Sequence, residues 1–260
     1  MSFEEYLRDI PLLHSWDGGG TWNTGGFERE HLETLYDFLR KRLPAGPVLL
    51  ETGAGNSTIT MLFLQPARLI SIAPNAPLFE RIREYCQKKK ISDTALEAHI
   101  DGSQWVLPRL AAENRASDPF IDFALIDGCH GWPTAFVDLE YINSMLRRGG
   151  HLMIDDVQLH GEKEMARLLS EHPAYSIVLD LGKSLVFQKL TDDRHLDEWT
   201  AQPYIVRRTN QYARWPNPFV LRDPSVASRT AYWMRRLPHR IRRRLIKNFR
   251  EFRHGIHTSS

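Results

Sequence analysis

The chain has 260 residues, 42% hydrophobic and 25% charged, globular proportions that suit one large domain or a domain with an extension. No apolar run approaches the ~20 residues of a membrane span, residues 1–6 carry no basic or apolar region of a secretion signal, and two cysteines, Cys86 and Cys129, exclude a disulfide framework and a cysteine metal site. The net charge of +2 conceals a division: residues 200–260 hold 14 Lys and Arg against 2 Asp and Glu, so an acidic body precedes a basic tail.

Residues 11–26 hold Trp16, Trp22 and five glycines, Gly18, Gly19, Gly20, Gly25 and Gly26. Two readings stand for this arm: a lid that closes its aromatics over a site, or a segment packed on the surface. Residues 28–43 place Leu32, Leu35, Tyr36, Leu39 and Leu43 on one helical stripe, stopped by Pro44-Ala45-Gly46-Pro47. Then Val48-Leu49-Leu50-Glu51-Thr52 reads as a buried strand, Gly53-Ala54-Gly55 as a tight turn, and the run from Asn56 or Ser57 as a capped helix. Gly53 and Gly55 let a ligand approach the backbone, and the helix start offers free N–H groups. A dinucleotide fingerprint needs a third glycine where Thr58 stands, which argues against that class.

A strand–helix rhythm follows. Strands are predicted at 68–72, 95–100 and 120–126, and helices at 78–90, from Gln104, and at 133–146, where Gly149-Gly150 ends the last. A fifth strand, His151-Leu152-Met153-Ile154, runs into Asp155-Asp156, and residues 175–179 and 184–190 read as a hairpin turning at Gly182-Lys183. Repeated βα units imply a parallel sheet with helices on both faces.

Glu51 followed by Gly-x-Gly resembles the first motif of class I S-adenosylmethionine (SAM) methyltransferases. The order of a parallel sheet and a closing hairpin is also theirs. The stretch Ile121-Asp122-Phe123-Ala124-Leu125-Ile126-Asp127-Gly128-Cys129-His130, then Asp138-Leu139, then Arg148 through Asp156 resembles the branch with the macrocin-type sugar O-methyltransferases. It is more distantly similar to the catechol-type metal-dependent enzymes. The resemblance implies an α/β fold: a doubly wound, mostly parallel, seven-stranded Rossmann-like sheet over residues 27–190, with residues 1–26 as arm or lid and 191–260 as a basic extension. It implies that SAM is bound by Glu51, Thr52, Gly53, Gly55, Ser57, Asn75, Asp101, Gly102, Ser103 and Asp127. Glu51 would meet the ammonium and Asp101-Gly102-Ser103 the adenine. Ala73 stands where the family has an acid for the ribose, with Asn75 as a partial substitute.

Strand-end acids gather at one edge of such a sheet. Asp127, Asp155 and Asp156 end two neighbouring strands, and close carboxylates repel unless one is protonated or a cation lies between them. Two readings stand: a divalent cation such as Mg²⁺, or capping of the next helix by Asp155 or Asp156. The catechol-type enzymes use an Asp and an Asp followed by Asn as metal ligands; Asp156 replaces that Asn here. His130 is a candidate base for a hydroxyl nucleophile, with Asp127 beside it, or a metal ligand. His151 is expected to be structural and Cys129 a small loop residue.

In the tail, Trp233, Met234, Leu237, Ile241, Leu245 and Phe249 share one helical face among arginines. Such a helix suits an anionic membrane surface, less well nucleic acid, or packing on the body or another subunit. The expected activity is methyl transfer to an oxygen of a small-molecule or glycan-like acceptor by a cytoplasmic enzyme, peripheral to the inner membrane face if the tail binds lipid. Two alternatives are a nucleic-acid methyltransferase and a non-catalytic module that keeps only the fold. No Asn/Asp-Pro-Pro-Tyr/Phe/Trp motif follows the fourth strand, which counts against methylation of base amines.

Overall fold

The computed structural model describes residues 1–14 and 26–212. Helices α1 (Phe3–Arg8) and α2 (Arg29–Arg42) precede β1 (Val48–Thr52), α3 (Asn56–Leu62), β2 (Arg68–Ile72), α4 (Ala76–Lys89), β3 (Leu96–His99) and α5 (Ser103–Glu113). There follow β4 (Ile121–Ile126), α6 (Thr134–Met145), β5 (Leu146–Ile154), α7 (His160–Glu171), β6 (Tyr175–Asp180), β7 (Leu185–Lys189) and α8 (Pro203–Tyr212). The site lies wholly within the compact unit Met1–Val206. Among the described residues no helix is long and apolar enough to cross a membrane.

The seven strands are ordered β3-β2-β1-β4-β5-β7-β6. Strands β1 to β5 are parallel, and β7 runs antiparallel between β5 and β6. The doubly wound sheet expected from the sequence is therefore present. All six residues of β4 are buried, as a strand covered on both faces requires. On one face Leu35 and Leu39 of α2 pack with Ile59 of α3 and Phe79 and Ile82 of α4. On the other, Leu107 of α5 packs with Ile142 of α6 and Met165 and Leu169 of α7. The chain winds outward from β1 to β3 and then returns to β4 beside β1, so the carboxyl ends of β1 and β4 flank the switch point where such sheets bind ligands.

Two local expectations are corrected. Gly149 and Gly150 do not end α6; they lie inside β5, which begins at Leu146. Pairing with β4 jumps from Ile121↔Leu146 to Phe123↔His151, so the glycines form a bulge, with Gly149 at φ +79° and a Cβ on Gly150 only 2.9 Å from the Arg147 carbonyl oxygen. The cap of α3 is Gly55, not Asn56 or Ser57. Tyr6 Oη donates to the Asn56 side chain and carbonyl (3.0 and 3.1 Å), and Ser57 is engaged beneath the loop. Helix α7, unbounded in the sequence, has no side-chain cap bond that would mark its start.

Residues 1–14, the start of the arm, are built into the body. Ser2 and Glu5 form a capping box for α1, which buries Phe3, Tyr6 and Leu7. Phe3 stacks on Tyr36 of α2 with ring centroids 3.8 Å apart. After β7 the chain stays on the body through Tyr204, whose buried ring joins the second core and whose hydroxyl donates to Glu164.

Candidate functional site

A cleft of about 930 Å³ opens at the carboxyl edge of the sheet. Gly53, Gly55, Ser57, Ala73, Asn75, Asp101, Gly102, Ser103, Asp127, His130 and Asp156 line it, while Glu51, Thr52 and Asp155 do not. Its floor is a close backbone approach. Gly53 N–H donates to Ile72 O (2.9 Å) and Asp127 N–H to Thr52 O (3.0 Å), which ties together the ends of β1, β2 and β4. Gly53 has φ +91°, and a Cβ there would stand 2.2 Å from Asp127 O. Only glycine fits both the angle and the space.

The N-terminal segment supplies one wall, through residues that sequence reasoning did not single out. Pro11 to His14 line the cleft. Arg81 Nε donates to Leu13 O (2.6 Å) and Asn56 Nδ2 to Pro11 O (3.2 Å). These bonds hold His14 over the glycine turn, its Nε2 2.8 Å from where a Gly55 Cβ would be.

Glu51 lies beneath this turn. It is fully buried and accepts hydrogen bonds from Ser57 Oγ (2.7 Å), Thr58 Oγ1 (2.5 Å) and Ser71 Oγ (2.6 Å). The sequence reading had it facing the ligand; in the structure it does not line the cleft but braces the glycine loop from beneath. Thr58, at the missing third glycine, also accepts from Gly55 N–H (2.9 Å). Burial pushes the Glu51 carboxyl up to about 7, against the lowering effect of the three hydroxyls. A carboxyl raised on folding contributes most below its unfolded pKa, and that contribution is lost as pH rises through the folded value. Between pH 5 and 8 the wild type should therefore lose stability relative to Glu51→Gln by on the order of 3 kcal/mol, read from denaturant midpoints. A wild-type-to-variant difference that does not change with pH would remove this role.

The other predicted contacts divide by environment. Asn75 Oδ1 accepts from Leu78 N–H (3.1 Å) and caps α4 from the cleft wall. Asp101 accepts from Gly102 N–H (2.8 Å). Thr52 and Ser103 face the buried Asp138 of α6, whose carboxyl burial pushes up to about 6 while the two hydroxyls lower it.

The acids stand around His130. His130 Nε2 lies 3.8 Å from Asp127 Oδ1 and 3.5 Å from Asp156 Oδ2. One donor atom from each of these three residues falls within 4.8 Å of the others. Burial, with the charge of Asp155 next, holds Asp127 well above the ordinary carboxylate range. The expected trio of Asp127, Asp155 and Asp156 is thus rearranged. Asp155 is wholly buried and receives Ser184 Oγ and, at 2.7 Å, Lys183 Nζ. Consecutive residues leaving a strand point to opposite sides, so Asp155 turns inward and Asp156, at φ +51°, turns to the cleft. Lys183 also lies 3.4 Å from Asp156 Oδ1 and 4.7 Å from the Phe27 ring centroid. Burial alone would lower the Lys183 ammonium, but its bond to Asp155 and the three acids outweigh this and raise it.

His151 is buried against Phe38 and pushed down to about 4 by burial and by Arg42 and Arg147, which keeps it neutral, and it does not line the cleft. Cys129 is a free thiol on the exposed loop. The Trp16–Trp22 segment and the basic stripe from Trp233 to Phe249 lie outside the described residues.

Residues 50–157 match a family model described as "Methyltransferase domain". Comparison with curated proteins found no match. Among solved structures the chain is similar to the O-methyltransferase TomG from Streptomyces achromogenes, involved in Tomaymycin synthesis and solved in complex with SAM. The identity is 17%, over 72% of this chain and 90% of that one, with a TM-score of 0.57. An O-methyltransferase from Bacillus cereus in complex with SAH is 17% identical over 65% and 84%, with a TM-score of 0.52. A methyltransferase from Geobacter sulfurreducens is 19% identical over 65% and 82%, also with a TM-score of 0.52. These likenesses concern the fold. Residues 50–157 thus match a methyltransferase-domain model, set in a sheet with the strand order of the class I methyltransferase fold.

Proposed function

We propose that the protein transfers the methyl group of SAM to a hydroxyl oxygen of a small-molecule or glycan-like acceptor, with His130 taking the proton. The observation that carries this reading is the arrangement of one cleft. The turn at Gly53, where no side chain fits, and His130 Nε2 with its neighbouring acids line the same cleft. That TomG and the Bacillus cereus enzyme were solved with SAM and SAH supports the choice of cofactor.

The residues present fit SAM. Gly53, Gly55, Ser57 and His14 would hold its amino-acid end, Asn75 the ribose and Asp101 to Ser103 the adenine. Bound SAM supplies an electrophilic methyl on a sulfonium. The protein orients the acceptor hydroxyl toward that carbon and provides Nε2 of His130 to receive the proton. Asp127 and Asp156 stabilise the imidazolium that results.

The convergence of Asp127, His130 and Asp156 favours a second reading, in which they hold a divalent cation. One nitrogen and two oxygen donors suit Mn²⁺, Zn²⁺ or Fe²⁺ better than Mg²⁺ or Ca²⁺, which prefer oxygen alone. Such an ion would lower the acceptor hydroxyl's pKa, and His130 would be a ligand, not the base.

Calorimetric titration with SAM tests the common premise. Micromolar binding is expected; none at millimolar SAM would leave a module that keeps the fold without the cofactor. Turnover of hydroxylated acceptors in EDTA then separates the two readings. Full activity in EDTA supports His130 as base. Loss restored by Mn²⁺ or Zn²⁺ supports the cation.

A further inference from the structure

Glu162 occupies the first turn of α7 and is 1% exposed. Among the described residues neither of its carboxylate oxygens has a hydrogen-bond partner. A buried carboxylate without a donor is costly. Among the described residues it lies against the imidazole of His130, whose Nδ1 is 3.4 Å from Oε1. The backbone makes this juxtaposition firm. A Cβ on Gly161 would touch Trp132 Cε3 at 3.8 Å and the His130 carbonyl at 3.9 Å, so the turn that carries Glu162 packs against the loop that carries His130.

The imidazole therefore stands between two kinds of acid. Nδ1 faces Glu162, while Nε2 faces Asp127 and Asp156 across the cleft edge. A neutral ring has one N–H to give. Solvation decides where it goes. The side chains of Asp127 and Asp156 retain 20% and 14% exposure, and Asp156 also has Lys183. Glu162 is 1% exposed and, among the described residues, has no Lys or Arg beside it, so it gains most from the proton.

We propose that Glu162 is a positioning residue for His130: it accepts the Nδ1–H, fixes the ring and leaves the Nε2 lone pair directed into the cleft. A base needs that lone pair, and so does a metal ligand. The catalytic consequence rests on the proposed role of His130, but the tautomer does not.

The test is two-bond ¹H–¹⁵N correlation on the full chain labelled at histidine nitrogen, at alkaline pH where imidazoles are neutral. His130 is assigned by the signal lost in His130→Gln. Wild type should show the Nδ1–H tautomer. Glu162→Gln retains an acceptor and should retain that tautomer. Glu162→Leu should shift His130 toward Nε2–H and lower kcat about 10–100-fold, with the KM for SAM unchanged. An Nε2–H signal in wild type, or an unaltered tautomer in Glu162→Leu, overturns the proposal. If Glu162→Leu does not fold, wild type and Glu162→Gln still decide: Nδ1–H in both supports the proposal, and any other pair rejects it. A tautomer that shifts while kcat stays constant upholds the positioning and removes His130 from the proposed chemistry.

Discussion

Replacing His130 by alanine is expected to lower kcat by about 10²–10⁴-fold, or about 3–5 kcal/mol in barrier, with SAM affinity little changed. The side chain has two attributes that suit this role. Its imidazole can accept a proton from a hydroxyl nucleophile, and its Nε2 stands beside Asp127 and Asp156, whereas His14, the other imidazole lining the cleft, lies over Gly55. Its acidic neighbours are poor substitutes. Burial and the charge of Asp155 hold the Asp127 carboxyl above the ordinary carboxylate range, and Asp156 is paired with Lys183. His151→Ala is the control: that ring is buried against Phe38 and should affect stability, not turnover. Equal loss of activity in both variants would mean that the His130 effect reflects folding. Less than a tenfold loss in His130→Ala would place the proton acceptor elsewhere, on the acceptor molecule itself or on the segment around Trp16 and Trp22.

Local pattern revealed what is locally encoded. The strand predicted at 68–72 is β2, and the glycine turn after β1 is the cleft floor. The strand-end acids were recognised as a group because the parallel sheet brings strand ends to one edge. What each acid faces was not legible. Glu51 depends on Ser57, Thr58 and Ser71, the last 20 residues away on the neighbouring strand. Asp155 and Asp156 read alike in sequence, yet one residue of strand alternation buries the first against Ser184 and turns the second to the cleft beside His130, with Lys183 near both. Lys183 and Ser184 reach Asp155 because antiparallel pairing sets Ile154 opposite Leu185, a register that no local signal specifies. Glu162 stands in His160-Gly161-Glu162-Lys163-Glu164, which resembles a solvated helix start. Only the packing of Gly161 on the His130 loop shows that this carboxylate is inside.

Gly53→Ala is expected to be the most destructive single-methyl change in the body. Two costs add. Alanine at φ +91° loses about 1–2 kcal/mol to backbone strain, and overpacking of a fixed site costs about 1–3 kcal/mol more. The clash cannot be relieved by a side chain, because the atoms met are Asp127 O at 2.2 Å and Asp127 C at 2.9 Å. That strand exit is itself pinned by Asp127 N–H to Thr52 O. A loss of about 2–5 kcal/mol is a large part of a typical domain's stability of about 5–15 kcal/mol, and should lower Tm by roughly 5–20 °C. SAM affinity should fall at least tenfold even where the variant is folded, since the turn and Asp127 must part to admit the methyl group. Two other glycines isolate the terms. Gly149→Ala has φ +79° but nothing within 4 Å, so it carries strain alone. Gly55→Ala meets only the tip of His14, which can rotate, and should cost about 1 kcal/mol or less. A Gly53→Ala midpoint equal to that of Gly149→Ala would show that β1 and β4 separate freely at this point. The rigid cradle on which SAM binding is argued would then be absent.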